Sequence, residues 1–181
     1  MFYQKEITLN DGRACLLRSC TAQDGPEMLD VFNATHGETD FLLSYPDEST
    51  FTAQQESEFL AQKADSENEI EIFALVDGVI AGTAGISAIG SKYKVRHRAE
   101  FGISILQDFW HLGIGRALTE SCIACARQAG YRQLELDVVA DNTNAIALYK
   151  SFGFTEFGRN PKGFLSRLSG YQELVYMRLE L

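Results

Sequence analysis

No apolar stretch in this sequence approaches the roughly 20 residues needed to cross a bilayer. Runs such as Phe73 to Val76 and Ile103 to Leu106 span only four residues. A membrane-spanning helix is therefore not expected. The opening Met1-Phe2-Tyr3-Gln4-Lys5-Glu6 lacks the apolar stretch and the small-residue cleavage site of a signal peptide, so the cytosol is the expected address. Cysteine is scarce: Cys15, Cys20, Cys122 and Cys125 are too few and too clustered for a disulfide scaffold, and reduced thiols are the simpler reading. Positive charge is in the minority. With 16 Lys+Arg against 25 Asp+Glu the formal net charge is -9, which opposes attraction to nucleic acid or anionic lipid and favours cationic solutes. Neither a nucleic acid nor a membrane is an expected partner. Internal repeats, low-complexity tracts and domain linkers are also missing.

What is present suits one globular core. A chain of 181 residues with 45% hydrophobic and 11% aromatic content can offset its conformational entropy, and residues 1–181 read as a single domain. An Asn10-Asp11-Gly12 turn joins two short apolar runs between Ile7 and Leu17, a hairpin signal. Thr21 to Asp24 resembles a capping box, and Pro26 falls in the first turn of a helix expected to end near Asn33. Thr35 to Ser49 reads as an irregular loop anchored by Phe41, Leu42, Leu43 and Tyr45, suited to walling a substrate pocket. An amphipathic surface helix follows over Thr52 to Ala64. Ile70 to Val76 and Val79 to Ile86, joined by Asp77-Gly78, form the clearest hairpin. A long basic turn from Ala88 leads to His97, and Ala99 to Leu106 is the next strand.

A helix over Gly113 to Ala129 carries apolar residues at helical spacing, including Cys122 and Cys125. That Cys-x-x-Cys pair has no second pair or histidine cluster near it, so the two read as buried small hydrophobes and no metal site is expected. Gln133 to Val139 alternates as a strand, making a strand-helix-strand crossover with two parallel strands. A short helix over Thr143 to Phe152 and two strands, Phe154 to Arg159 and Glu173 to Leu181, complete a mixed sheet.

The chemistry concentrates in Gln107 to Ala117, a glycine-bearing loop running from a strand into a helix. Free amides at a helix start, with the positive end of its dipole, bind phosphate oxygens, and glycine lets them come close. A Walker A loop is ruled out because Arg116-Ala117 follows Gly115 where Lys-Ser/Thr is required. A Rossmann fingerprint fails because Leu118 stands where its third small residue belongs.

The loop resembles motif A of the GNAT N-acetyltransferase superfamily, Arg/Gln-x-x-Gly-x-Gly/Ala, with Gly113 and Gly115 as the glycines. Downstream, Asn142-x-x-Ala145-x-x-Leu148-Tyr149-x-x-x-Gly153-Phe154 is similar to a second segment of that family. Trp110 departs from the pattern by taking the Arg/Gln position. The resemblance is specific over about Ala99 to Phe154, looser to Met177, and limited upstream to the order of elements.

The resemblance implies the GNAT fold, an α/β domain with a mixed, mostly antiparallel sheet and a splayed parallel strand pair flanked by helices. It implies acetyl-CoA as co-substrate, no metal, and transfer of acetyl to a primary amine by direct attack in a ternary complex. By it, Ile103, Ser104 and Ile105 would meet the pantetheine arm and the acetyl carbonyl. His111, Leu112, Gly113, Ile114, Gly115 and Arg116 would wrap the pyrophosphate, and Asn142 would hydrogen-bond the pantetheine. Tyr149 would protonate the departing thiolate. Glu100 and Asp137, on the two parallel strands, are the candidate general bases. His97 and His111 could touch substrate or phosphate, whereas His36 lies in the variable loop. The acceptor, a small-molecule amine or a protein N-terminus, stays open, as does oligomeric state, a homodimer included. The alternative is a catalytically silent CoA-binding sensor or partner-binding module.

Overall fold

The computed structural model describes residues 1–181. One eight-stranded sheet runs through the chain. Its strands are β1 (Gln4–Thr8), β2 (Ala14–Ser19), β3 (Ile70–Val76), β4 (Val79–Ala88), β5 (Arg98–Ile105), β6 (Gln133–Val139), β7 (Thr155–Ser166) and β8 (Gly170–Glu180). They lie in the order β1-β2-β3-β4-β5-β6-β8-β7. Every neighbouring pair is antiparallel except β5 and β6.

The helices are α1 (Gly25–Glu38), α2 (Ala53–Asp65), α3 (Ile114–Gln128) and α4 (Thr143–Ser151). Strand alternation divides β3 cleanly between the two faces. Ile70, Ile72, Ala74 and Val76 join Leu118, Cys122 and Cys125 of α3 in the main core. Phe73 faces the other way, into a smaller core with Met28 and Val31 of α1 and Leu60 of α2. Cys122 and Cys125 thus fill apolar space, and all four thiols are free and buried. Burial pushes the Cys122 thiol well up, so it stays protonated and inert.

Three expectations need correction. α1 runs to Glu38 rather than Asn33, because Thr35 donates its hydroxyl to the Val31 carbonyl (2.9 Å) and His36 stacks on Phe32 at 3.7 Å. The loop accordingly starts at Thr39, and His36 is a buried helical residue with its pKa lowered by desolvation. β7 runs on to Ser166 instead of ending at Arg159 and forms a hairpin with β8, which begins at Gly170 rather than Glu173; register jumps at Glu156/Gly158 and Asn160/Phe164 erase the alternation that would have marked β7 as one strand. α2 is more than a surface helix. It buries Lys63, whose Nζ donates to Glu69 (2.9 Å), Ser87 (2.5 Å) and the Ile86 carbonyl (3.3 Å).

No helix is long and apolar enough to cross a membrane, and no cluster of side chains has the make-up of a metal site.

Candidate active site

The parallel strands stay paired only from Arg98 to Glu100 against Gln133 to Glu135. Beyond that, β5 continues along β4 to Ile105 while β6 turns to β8, and the two separate. A cleft of about 830 Å³ occupies the gap. The Trp110 indole N–H donates to the Ile105 carbonyl (2.8 Å), which shows that this carbonyl points away from β4 into the gap. Ile103, two residues back, turns its main-chain groups the same way beyond the last β6 pairing, so β5 presents a free strand edge there to an extended ligand arm.

At the wide end of the gap sits the glycine loop. Gly113 is the residue before α3 and has φ 95°, a left-handed conformation that a side chain resists. His111 shares that region at φ 63°. The turn between β1 and β2 clamps the loop through Asn10, which itself lines the cleft. Asn10 accepts nothing from it but donates twice, from its backbone N–H to the Leu112 carbonyl (3.0 Å) and from Nδ2 to the His111 carbonyl (3.0 Å). With these carbonyls engaged by Asn10, the loop is pinned where it enters α3, whose first-turn amides have no helical partner. His111, Gly113, Gly115 and Arg116 line the cleft; Leu112 and Ile114 are turned into the core. Arg116 spans to α4, donating to the Ser151 hydroxyl (3.1 Å) and lying over the Phe152 ring.

Asn142 caps α4, its Oδ1 accepting the Ala145 N–H (3.3 Å), which leaves Nδ2 to donate into the cleft. Tyr149 lines the same cleft yet is only 7% exposed, packed edge-on to Phe101 and against Phe154. Burial alone raises its pKa, so the phenol keeps its proton at neutral pH, and no protein hydrogen bond occupies the hydroxyl.

Glu100 and Asp137 both line the cleft. Burial raises the Glu100 pKa, with the charges of Asp137 and Glu135 adding to it. Glu135 itself is held by a bidentate Arg98 (2.6 and 2.7 Å). His97 does not line the cleft; its carbonyl receives the N–H groups of Arg132 and Gln133.

The loop after α1 walls the cleft with Phe41, Leu42 and Leu43, together with Phe164 of β7. Asp40 fixes that wall. One oxygen accepts from the Tyr45 hydroxyl (3.0 Å) and the other from the Ser166 hydroxyl (2.6 Å) and the Gln172 side-chain amide (3.1 Å). Asn10, Asp40 and Phe164 escaped the sequence reading, since no local pattern marks a partner more than a hundred residues away.

Residues 33–154 match the profile of the Acetyltransferase (GNAT) family, reaching well upstream of Ala99. A mycothiol acetyltransferase of Geodermatophilus obscurus is 40% identical over 74 residues, covering 41% of this chain and only 21% of that protein. A [ribosomal protein bS18]-alanine N-acetyltransferase of Salmonella typhimurium is 28% identical over 134 residues, 74% of this chain and 80% of that one. An acetyltransferase of the GNAT family from Streptococcus pneumoniae, a solved structure, aligns with a TM-score of 0.88 at 30% identity over 92% of this chain and 99% of its own. The profile, the sheet with its splayed parallel pair and the cleft between those strands agree: the chain belongs to the GNAT family of N-acetyltransferases, which use acetyl-CoA.

Proposed function

We propose that residues 1–181 are one catalytic domain that moves an acetyl group from acetyl-CoA directly to a primary amine, both bound at once. The observation that carries this reading is a protonated, buried and otherwise unbonded Tyr149 hydroxyl in the gap beside the free edge of β5. The residues suit the donor. A helix start with glycine in the left-handed region receives the pyrophosphate, the edges of Ile103 and Ile105 run along the pantetheine, and Asn142 Nδ2 bonds it. The thioester, when bound, supplies the activated acyl group.

The chain's own work is then positioning and proton movement. β5 main-chain N–H groups orient the acyl carbonyl and can stabilise charge on its oxygen. Tyr149 gives its proton to the sulfur as the C–S bond breaks. Glu100 and Asp137 are cleft carboxylates able to hold the approaching amine. A silent CoA sensor would need the loop but not the phenol. Thiol release from acetyl-CoA across a panel of amines tests the choice: release with at least one amine is expected, and CoA binding with no release would favour the sensor.

Arg116, at the glycine-loop end, is the one permanently charged cation among the residues lining the cleft, against Glu100, Asp137 and Glu71. That lining supports a cationic acceptor, a small-molecule amine or a peptide N-terminus. Charges act over about 8 Å at 0.15 M salt, so the acceptor KM is expected to rise a few-fold between low and high salt while kcat holds. A salt-indifferent KM, or a best acceptor that is neutral or anionic, would remove electrostatic recruitment. Because acetyl-CoA is an intracellular metabolite, we place the protein in the cytoplasm.

A further inference from the structure

Glu71 was not singled out by any sequence pattern. The register sets Glu71 of β3, Gly85 of β4 and Gly102 of β5 in one row, on the face covered by α1 and α2. Opposed residues in antiparallel strands project to the same side, so two glycines leave a trough in the sheet surface there. Nothing lies within 4 Å of where a Cβ would stand on Gly102, and a Cβ on Gly85 would collide with Oε2 of Glu71. The Glu71 side chain therefore leans across Gly85. Thr83 donates its hydroxyl to Oε1, while Oε2 has no hydrogen-bond partner in the protein. Glu71, Gly85 and Gly102 line the same cleft as Ile103 and Tyr149.

We propose that Glu71 is the group that takes the proton from the incoming amine, which lies in the trough over Gly85 and Gly102. This rests on the acetyl-transfer reading above. The ammonium gives one proton to Glu71 Oε2, and the freed nitrogen lone pair forms the C–N bond to the thioester carbonyl carbon. As the C–S bond breaks, its electron pair stays on sulfur and is protonated by Tyr149. The second nitrogen proton, lost as the amide forms, restores the phenol, and Glu71 returns its proton to solvent. One ammonium and one thioester thus become one amide, one thiol and one released proton.

The surroundings of Glu71 suit the task. Burial pushes its carboxyl up to about 7. The Thr83 hydrogen bond and the charge of Lys63 on α2 act downward, and Glu56 on α2 acts upward. Glu100 on β5 and Asp137 on β6 line the same cleft, while the Cys20 thiol after β2, pushed up to about 12 by burial, and the Cys122 thiol of α3, pushed well up by burial, both lie near enough to feel the charge of Glu71. Lys63 is already paired with Glu69 at 2.9 Å. A base whose pKa lies near the working pH transfers protons more effectively than an ordinary carboxylate.

The test is the pH profile of kcat/KM for the acceptor, with an amine titrating well above pH 8. In the wild type the rate should climb as Glu71 loses its proton, through about pH 7. E71Q should lose that limb and fall about 10²- to 10⁴-fold, with CoA affinity and melting temperature unchanged. E100Q and D137N should keep the limb. Gly85→Ala, which sets a methyl where Oε2 lies, should depress kcat/KM with CoA binding intact and covers the case in which E71Q misfolds. A limb that survives in E71Q, or a fully active Gly85→Ala, overturns the assignment. A wild type that releases thiol with no amine at all would instead defeat acetyl transfer itself.

Discussion

Gly113→Val is expected to weaken CoA binding by one to two orders of magnitude. The residue sits at φ 95° immediately before α3, where valine must either accept the strain or rotate the first-turn amides away from the cleft. A left-handed conformation costs a side-chain residue about 1–2 kcal/mol, and a hydrogen bond to a charged group contributes about 1.5–3 kcal/mol. Losing one such bond to phosphate corresponds to roughly 10- to 100-fold in affinity. The strain should also lower the melting temperature by several degrees, since about 1 kcal/mol shifts a domain of this size by about 2–4 °C. Gly115→Val should act by bulk rather than strain. A Cβ there already stands 3.4 Å from Ile105 and 3.5 Å from Leu148, so the extra methyls must press on β5 or α4. Calorimetry with CoA, alongside thermal unfolding, measures both. Wild-type affinity in a folded Gly113→Val protein would mean that the loop amides do not hold phosphate.

Tyr149→Phe should lower kcat by about 10²- to 10⁴-fold, the range general acids typically provide, with the KM for acetyl-CoA changed only a few-fold. The ring packs on Phe101 and Phe154, and phenylalanine retains those contacts. No protein hydrogen bond is lost with the hydroxyl, so stability should stay within about 1 kcal/mol of wild type. Chemistry and packing are thereby separated. A variant within a few-fold of wild-type turnover would leave Tyr149 a core aromatic and require another proton donor.

Legibility in the sequence followed locality. β3 and β6 were readable to the residue because alternation and a bounding turn lie within ten positions. The glycine loop and the Asn142 to Tyr149 segment were readable for the same reason: each is contiguous, and its function depends on a helix start. α1 was cut short at Asn33 because the stretch from Thr35 to Ser49 is rich in Gly, Asp, Ser and Pro and reads as a loop, whereas packing of Thr35 and His36 carries the helix on. β7 was cut short at Arg159 because Pro161, Lys162 and Gly163 fall within its register jump between Asn160 and Phe164. The acceptor side was least legible. Glu71 acquires its setting from Gly85 and Gly102 on two other strands, and Glu100 is set apart from an ordinary strand carboxylate by burial first and by the charges of Asp137 and Glu135 on β6 second.

The Asp40 hydrogen bonds bear on how the protein opens. Ser166 and Gln172 belong to the last hairpin, 126 and 132 positions from Asp40, so the loop after α1 and the C-terminal strands are stitched at one carboxylate. Local opening should follow that stitch: amides of residues 39–45 and 164–172 are expected to exchange with solvent together, as one cooperative unit of low stability, while the strands around Leu134 and Met177 exchange only on global unfolding. Admission of an acceptor and fraying of the chain's end would then be a single motion. Sequence changes in the β7–β8 hairpin would retune which amines enter without touching the donor half of the cleft.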